Sequence, residues 1–588
     1  MITQRHPAAD SVIGRYWVVI ETGSNQRYIF GTNKRRANVG ASELVRRVGT
    51  DWIDAVVGVG RFHSDVKTVI SASGKAILLV GDQADGRSIV SAVTSRALLE
   101  APGLSVSGAV DDVAIKPGAC TRDTPDSRCS CASCRLDAVH RTLSQARANA
   151  GSPELRWPTN PFSLPCAYTG LPAVTMGTEV KEDNERPSTD SQPKARSAQF
   201  DTVFDHQSDK PAAQGLAALT EIVGDGHVPK NLNSADPEKD PVRNSGWIAI
   251  IHADGNGIGN LFLKMGRAIG ETELIRRMSA FSKALDEVTR QAVRVAATTT
   301  ASNYLSTDGS APQGWILPII VGGDDVTVIV DGRLALDFTA AFLAEFKNLA
   351  AENETIRKVN GAVSVPDDIA DSAIHTATTP PPITASAGIA FIKPHHPFSD
   401  GYALAEQLCN SAKNLTKLEG GGSALDFHVL FDSVGRDLDE LRDKQQIVSG
   451  SDGGPMRLWA GPVLVDPDTM PEGEPHPPTL MNLRGAMAAL SRGTAGERGA
   501  ISSTSAHALR AALTRGGPAI RHAREQAVLR APNPEATRKA LDEFLEVPTS
   551  YDVEEASTLS YWLDALALNE VAGGTAVRRD LTGLGGSR

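Results

Sequence analysis

The sequence GGDD at residues 322–325 lies between two apolar runs rich in β-branched residues, 315–321 and 326–330. Apolar runs joined by a short segment of Gly and Asp are typical of a β-hairpin. Two adjacent carboxylates on such a turn repel one another unless a cation lies beside them. The segment therefore predicts an antiparallel hairpin whose turn binds a cation. The alternative is a hairpin turn without further function, since Gly and Asp are common turn residues.

The residues on both sides of this hairpin have the order of a palm domain. Residues 247–253 (WIAIIHA) are a buried strand candidate, and apolar residues spaced by four and three between Leu274 and Ala292 predict a helix. Four more segments are predicted downstream: helices at 334–349 and 400–417, and strands at 383–392 and 424–430. The order βαββαβ predicts an α+β fold with a ferredoxin-like sheet over residues 246–431.

Three carboxylates are predicted to meet at one end of that sheet. Asp254 ends the first strand, whereas Asp324 and Asp325 occupy the turn of the hairpin. Phosphoryl transfer needs divalent cations to neutralise the triphosphate and to clamp the entering and leaving oxygens. Magnesium prefers oxygen ligands, of which one or two are usually carboxylates. We therefore predict that these three residues are catalytic and bind Mg²⁺ or Mn²⁺.

Nucleotide contacts are predicted beside the carboxylates. The segment GNGIG at 255–259 opens toward a helix, where free backbone N–H groups can hold phosphate oxygens. Glycines in the GGDD turn permit positive φ and close backbone approach. Lys413 follows the last core strand and is a positive partner for a triphosphate, with a solvated helix lysine as the alternative. The predicted nucleotide-binding residues are Gly255, Asn256, Gly257, Gly322, Gly323 and Lys413.

A cysteine-rich segment precedes the palm. Five of the six cysteines lie between Cys120 and Cys166, too few for a disulfide scaffold in a chain of 588 residues. The CxxC of Cys131 and Cys134 suits a tetrahedral zinc site, because two thiolates on one tight turn point at one ion. The predicted Zn²⁺ ligands are Cys131, Cys134, Cys166 and Cys129, with Cys120 and His140 as alternatives for the last. A cluster of free thiols is the competing interpretation.

Five regions are expected along the chain. Residues 1–115 predict a small α+β unit with strands at 16–20, 73–80 and 105–110 and a helix at 87–99. Aligning Gly323 with Gly74 places Asp324 on Lys75, which predicts a degenerate first palm, with chance similarity as the alternative. The remaining regions are expected to be a cysteine-rich zinc module at 116–175, a polar linker or insert at 176–245, the GGDD palm at 246–431, and a mainly helical C-terminal domain at 432–588.

Composition excludes several classes of protein. The formal net charge of −11 argues against a basic surface for non-specific nucleic-acid binding. The first 15 residues hold no apolar run typical of a signal peptide, and no segment approaches the length of a membrane span. We therefore expect a cytoplasmic protein without membrane contact.

Taken together, the motifs resemble those of the large subunit of type III CRISPR effector complexes. The resemblance rests on GGDD at 322–325, ADGNGIG at 253–259, ITASAGIAFIKPHHPF at 383–398, Ala412–Lys413, residues 21–48 and CAYTGLPA at 166–173. It implies two ferredoxin-like palms, a cysteine zinc module between them and a helical C-terminal domain. It also implies that Asp254, Asp324 and Asp325 bind metal ions while ATP is joined through 3′–5′ linkages into cyclic oligoadenylates for antiviral defence. Expected partners are ATP or another NTP, guide or target RNA, and other CRISPR effector subunits.

Three departures from the family pattern accompany this resemblance. Asn256 stands where a second Asp is usual, the chain begins almost directly with the first palm rather than with an HD nuclease domain, and the 176–245 insert has no counterpart. The predicted function is a metal-dependent nucleotidyltransferase or cyclase that releases pyrophosphate. The alternatives are a catalytically weak scaffold of an RNA-guided complex and a diguanylate-cyclase-like enzyme, with a templated polymerase last.

Overall fold

A computed structural model describes most of the chain. The described residues are 13–58, 62, 65–116, 129–150, 162–177, 194–204, 210–224, 226–229, 246–268, 271–304, 312–364, 382–418, 422–431, 437–443, 447–465, 476–490, 500–553 and 556–572. Cys120, an alternative zinc ligand, and most of the polar insert lie outside these residues. Among the described helices, none has the length and apolar character needed to cross a membrane.

The N-terminal region forms a four-stranded antiparallel sheet covered by helices. Its elements are β1 Tyr16–Gly23, α1 Asn25–Phe30, α2 Arg35–Gly49, α3 Asp51–Gly58, β2 Lys67–Ala72, β3 Lys75–Val80, α4 Gln83–Glu100 and β4 Ser105–Val110. The strand order is β2-β3-β1-β4, which is the order of a ferredoxin-like sheet. Strand β1 is central because its residues 17–20 are fully buried and β-branched or aromatic. The short β2, whose burial is only partial, was not predicted.

The N-terminal hairpin can be compared residue by residue with the GGDD hairpin. Ala72 pairs with Lys75 at the end of β2 and β3. In the second palm, Gly322 pairs with Asp325 at the same point of its hairpin. The closing pairs therefore equate Lys75 with Asp325, one residue away from the alignment made on the sequence. In this register the basic residue Lys75 of the first sheet occupies the position of the acidic residue Asp325 in the second sheet.

Between the two sheets the described residues form three helices and two short strands. They are α5 Ala132–Asn149, β5 Thr175–Gly177, β6 Lys194–Arg196, α6 Ala198–Phe204 and α7 Pro211–Val223. Helix α5 begins directly after Cys131. The Trp17 indole donates to the Ala132 carbonyl at 2.9 Å, and the buried Arg135 guanidinium donates to Asp111 at 2.8 Å. These buried contacts fix the cysteine segment to the first sheet.

The central region contains every strand predicted for the GGDD palm. Its elements are β7 Ile248–Gly255, α8 Ile258–Ala268, α9 Glu271–Asn303, β8 Ile316–Gly322, β9 Asp325–Asp331, α10 Gly332–Glu352, α11 Glu354–Ser364, β10 Ala385–Ile392, α12 Phe398–Leu418 and β11 Ala424–Val429. The core strand order is β10-β7-β9-β8, again ferredoxin-like. Helix α12 lies directly on β10, and a Cβ at Gly388 would lie only 2.0 Å from the Ala405 carbonyl oxygen. Glycine at this position therefore permits the close packing. The predicted α+β class is confirmed.

The C-terminal region combines helices with a small sheet. Its elements are α13 Leu438–Asp443, β12 Ile447–Ser449, β13 Pro455–Arg457, β14 Val463–Leu464, α14 Leu480–Leu490, α15 Ser503–Leu513, α16 Gly517–Leu529, α17 Pro534–Phe544, β15 Val547–Val553, β16 Ala556–Leu559 and α18 Trp562–Ala572. Four strands form a sheet of order β12-β13-β16-β15. This sheet was not predicted, because its strands are short and come from segments about 100 residues apart. Strand β14 pairs with β11, so the palm's sheet continues past residue 431.

The two ferredoxin-like sheets are joined through helices. Phe30 of α1 stacks on Tyr402 of α12 with ring centroids 4.5 Å apart. Gln26 donates to Glu406 at 2.9 Å, and Ser42 of α2 donates to the Ile319 carbonyl of β8. These contacts leave a cleft between the first sheet and the GGDD turn.

Candidate active site

The three predicted carboxylates come together at one edge of the central sheet. Asp254 is the penultimate residue of β7, and Asp325 is the first residue of β9. Because Ala253 pairs with Val326, the next residue of β7 lies beside the start of β9. Asp324 occupies the turn and interacts directly with Asp254. The sequence prediction that these residues share one sheet end is therefore met by the geometry.

Two glycines permit this convergence. Gly323 has φ +63°, the conformation that favours glycine at the first central position of a two-residue hairpin turn. At the end of β7, a Cβ on Gly255 would lie 2.9 Å from the Asp324 Cβ and 2.5 Å from the Ile258 Cγ1. Only a residue without a side chain lets the GGDD turn approach β7 this closely.

Burial and the neighbouring negative charges raise the pKa values of Asp324 and Asp325. Burial, followed by the charge of Asp254, raises the pKa of Asp324 to about 7. Burial and the charges of Asp254 and Asp324 raise the pKa of Asp325 to about 8. Clustered acids with raised pKa values are typical of sites that bind cations or transfer protons.

One carboxylate oxygen of this cluster lacks a hydrogen-bond donor among the described residues. The Asp325 Oδ1 is buried and has no hydrogen-bond partner among the described residues. The Nδ1 atom of His252 is 3.5 Å from this oxygen and 3.2 Å from the Thr327 hydroxyl. A buried acceptor without a donor costs free energy unless something cationic reaches it. The donor set and this orphaned oxygen fit a divalent cation.

Lys413 and Asn256, two of the predicted nucleotide-binding residues, have different surroundings. Lys413 of α12 forms an ion pair with Asp254 and lines the cleft. The Asn256 amide group donates to the Thr384 hydroxyl at 3.0 Å, and its oxygen accepts from the Ser386 hydroxyl at 2.9 Å. Asn256 is not among the residues that line the cleft, and its side chain holds the start of β10 instead.

The carboxylates open into a cavity of about 1160 Å³ between the two ferredoxin-like sheets. The other predicted residues on its wall are Gly255, Gly257, Gly322 and Gly323. The opposite wall carries Lys75 and Arg147, which pair with Glu21 at 2.7 Å and 3.0 Å. Sequence reasoning missed these two cations as site residues. The alignment of the two hairpins was a signal for Lys75, whereas only the packing of α5 brings in Arg147.

Three cysteines lie together at the start of α5. The sulfur atoms of Cys129, Cys131 and Cys134 all lie within 4.8 Å of one another. This group does not include Cys166, whose sulfur accepts from the Tyr168 N–H at 3.4 Å. Three thiols at this separation suit a zinc ion, for which a structural site normally has four ligands.

A ferredoxin-like sheet with three carboxylates at its hairpin end defines the class of palm-domain proteins. Within that class, residues 247–419 match the family described as Cas10/Cmr2, second palm domain. The match covers residues 247–419, so the resemblance found in the sequence is confirmed for the GGDD palm.

Solved structures that are similar to the chain include Csm1–Csm4 assemblies. The Csm1–Csm4 subcomplex of the type III-A CRISPR-Csm interference complex is 13% identical with a TM-score of 0.41, covering 72% of this chain and 55% of that one. The Csm1–Csm4 cassette in complex with cA4 is 11% identical with a TM-score of 0.39, covering 70% and 54%. The chain thus spans about half the length of those chains. Comparison with curated proteins yields no match.

Proposed function

We propose that the chain is a metal-dependent nucleotidyltransferase that joins ATP, or another NTP, into a cyclic oligonucleotide signal in CRISPR-type defence. The observation that carries the proposal is the convergence of Asp254, Asp324 and Asp325, with one orphaned buried oxygen, on a cavity bordered by Lys413. The match of residues 247–419 to the Cas10/Cmr2 second palm domain supports the same reaction class.

The three carboxylates would hold Mg²⁺ or Mn²⁺. When bound, such ions neutralise the triphosphate and the charge that develops on the entering and leaving oxygens. Deprotonation of Asp324 and Asp325 is then favoured, because a cation offsets the repulsion that raises their pKa values. The side chain of His252 lies beside Asp325 and is only 9% exposed, so the surroundings of Asp325 on that side are polar but largely desolvated.

The chain's own groups would bind and orient the nucleotide. Helix α8 begins at Ile258, beside the carboxylates, and the free N–H groups at its start favour phosphate oxygens. Lys413 places a positive charge on the same side of the cavity. Each linkage forms when a 3′-oxygen bonds to an α-phosphorus and pyrophosphate leaves, with the hydroxyl proton passing to solvent.

The size of the cavity supports a reaction between two nucleotides. Small-molecule sites occupy about 300–1,000 Å³, whereas this cavity measures about 1160 Å³. Its second wall supplies Lys75 and Arg147, cations suited to phosphate groups of an acceptor. We also propose a structural zinc held by Cys129, Cys131 and Cys134 with a fourth ligand, and assembly with RNA and other effector subunits.

The proposal is tested by incubating purified protein with each labelled NTP, and with mixtures, in Mg²⁺ or Mn²⁺. Products are resolved by chromatography and mass spectrometry. The wild type is expected to make a phosphatase-resistant product, and the Asp324→Ala, Asp325→Ala variant none. A matched control is Asp542→Ala, Glu543→Ala, which removes two adjacent exposed acids from α17. Equal turnover by the GGDD variant would exclude the proposed site.

A silent wild type calls for a second measurement, because family members are expected to wait for a target RNA. Binding of metal–ATP is then measured by calorimetry for the same three proteins. Binding that the GGDD variant alone has lost supports the nucleotidyltransferase. Absence of binding, combined with co-purification of RNA or small subunits, favours the scaffold alternative.

A further inference from the structure

The GGDD turn is held from behind by helix α9. The Gly323 N–H donates to Oδ1 of Asp286 at 3.1 Å. The carbonyl oxygen of the same glycine accepts from the Thr289 hydroxyl at 2.5 Å. Both backbone polar groups of one turn residue are therefore bound by side chains of one helix. We call Asp286 and Thr289 the turn clasp.

The two clasp residues are spaced so that they face the turn together. Positions three apart lie on the same face of a helix. Thr298, later on α9, bonds to the carbonyl of Arg294 four residues earlier, which is the usual local contact of a helix threonine. Thr289 is fully buried and directs its hydroxyl across to another element instead. The Thr289 hydroxyl therefore stabilises the GGDD turn rather than its own helix.

The two carboxylate oxygens of Asp286 accept hydrogen bonds from different partners, the GGDD turn and Arg290. Its Oδ2 accepts from Nε of Arg290 at 2.7 Å, while Oδ1 faces the turn. A hydrogen bond to an ionised acceptor is roughly twice as strong as a neutral one. The Arg290 pair fixes the carboxylate rotamer, so that Oδ1 stays directed at the Gly323 N–H.

The first glycine of GGDD fits this arrangement. A Cβ on Gly322 would lie 3.3 Å from the Asp286 Oδ1, tighter than an ordinary contact. Glycine at this position leaves room for the carboxylate to reach the next residue's N–H. The two glycines therefore have separate roles: Gly323 supplies the positive φ, and Gly322 admits Asp286.

We propose that the turn clasp positions Asp324 and Asp325 for metal binding, an inference that rests on the proposed function. The two acids follow directly on the clasped glycine, and repulsion among the three carboxylates favours any movement that separates them. A clasp on both sides of the Gly323 backbone resists that movement. Groups that orient metal ligands typically change metal affinity or activity by about 10- to 100-fold when removed.

The test compares Asp286→Ala and Thr289→Val with two matched variants of the same helix. Thr298→Val makes the same chemical change at an exposed position, and Glu273→Gln weakens ion pairs to Arg276 and Arg277 away from the turn. Mn²⁺ affinity is measured by electron paramagnetic resonance, and amide hydrogen exchange is followed over residues 320–326. The clasp variants are expected to bind Mn²⁺ about 10- to 100-fold more weakly and to exchange faster at Gly323. The matched variants should resemble the wild type in both.

Rescue and folding controls complete the experiment. Thr289→Ser keeps the hydroxyl and should restore most of the affinity, whereas Asp286→Asn keeps an acceptor and should fall between wild type and Asp286→Ala. Should Asp286→Ala fail to fold, Asp286→Asn and Thr289→Val carry the comparison. Clasp variants that match the wild type in Mn²⁺ affinity and exchange overturn the proposal. Because neither readout needs turnover, clasp-dependent Mn²⁺ binding supports the clasp whether or not the wild type makes product, so a failure of the clasp and a failure of the proposed reaction are distinguishable.

Discussion

Replacing Gly255 with alanine tests how tightly the end of β7 holds the GGDD turn. The added Cβ would lie 2.9 Å from the Asp324 Cβ and 2.5 Å from the buried Ile258 Cγ1. Carbon atoms pack at about 3.5–4.0 Å, so Asp324 must retreat by about 0.6 Å or more. A displacement of about 1 Å in a reacting group can lower a rate about 100-fold. We therefore expect a loss of about 10- to 100-fold in product formation and in Mn²⁺ affinity, with about 1–3 kcal/mol of destabilisation from overpacking.

A glycine that does not line the cavity provides the control for this substitution. Gly58 is the last residue of α3, and a Cβ there would meet nothing within 4 Å. Gly58→Ala should leave turnover unchanged, because the added Cβ contacts neither the acids nor the cavity. Thermal unfolding, Mn²⁺ titration and the labelled-NTP assay are applied to both variants. If Gly255→Ala retains turnover within a factor of two of Gly58→Ala, the position of Asp324 does not limit the reaction, and the reasoning is refuted.

Four further predictions concern charge and metal. Because the pKa values of Asp324 and Asp325 rise from 3.8 to about 7 and about 8, the native metal-free protein keeps protons that the unfolded chain has released. Its unfolding free energy should fall as the pH rises from about 4 to about 8. Measured by denaturation, the unfolding free energy of an Asp324→Asn, Asp325→Asn variant should increasingly exceed that of the wild type across that range. Parallel dependences of the two unfolding free energies on pH would contradict this prediction. Mg²⁺ at 100 times its Kd should stabilise the wild type by about 2.7 kcal/mol, but not this variant, in thermal shift assays. Lys413→Met should weaken ATP binding about tenfold or more in calorimetry, because a charged contact is removed. Cys131→Ser should lower zinc content in elemental analysis, and an unchanged content would remove Cys131 from the ligand set.

The strands of the second palm could be predicted because their burial is local information. Most residues of β7 and β9 are apolar and all but one in each strand are buried, and the polar turn between β8 and β9 interrupts that pattern sharply. The same reasoning missed β2, whose exposed and buried residues follow no clear period. It also missed the C-terminal sheet, because a strand of three residues has too little length to show periodicity.

The sequence by itself determined three features of the site: the acidic residues, the glycines of the turn, and the βαββαβ order that brings Asp254 to the GGDD hairpin. Those follow from strand period, turn chemistry and the repulsion of adjacent carboxylates, which are properties of short segments. Only the tertiary structure decided that Lys75 and Arg147 face the acids across the cavity, that Asn256 turns to β10, and that Asp286 and Thr289 hold the turn. These contacts and juxtapositions join residues from 34 to about 250 positions apart, and they depend on how helices pack rather than on any local pattern.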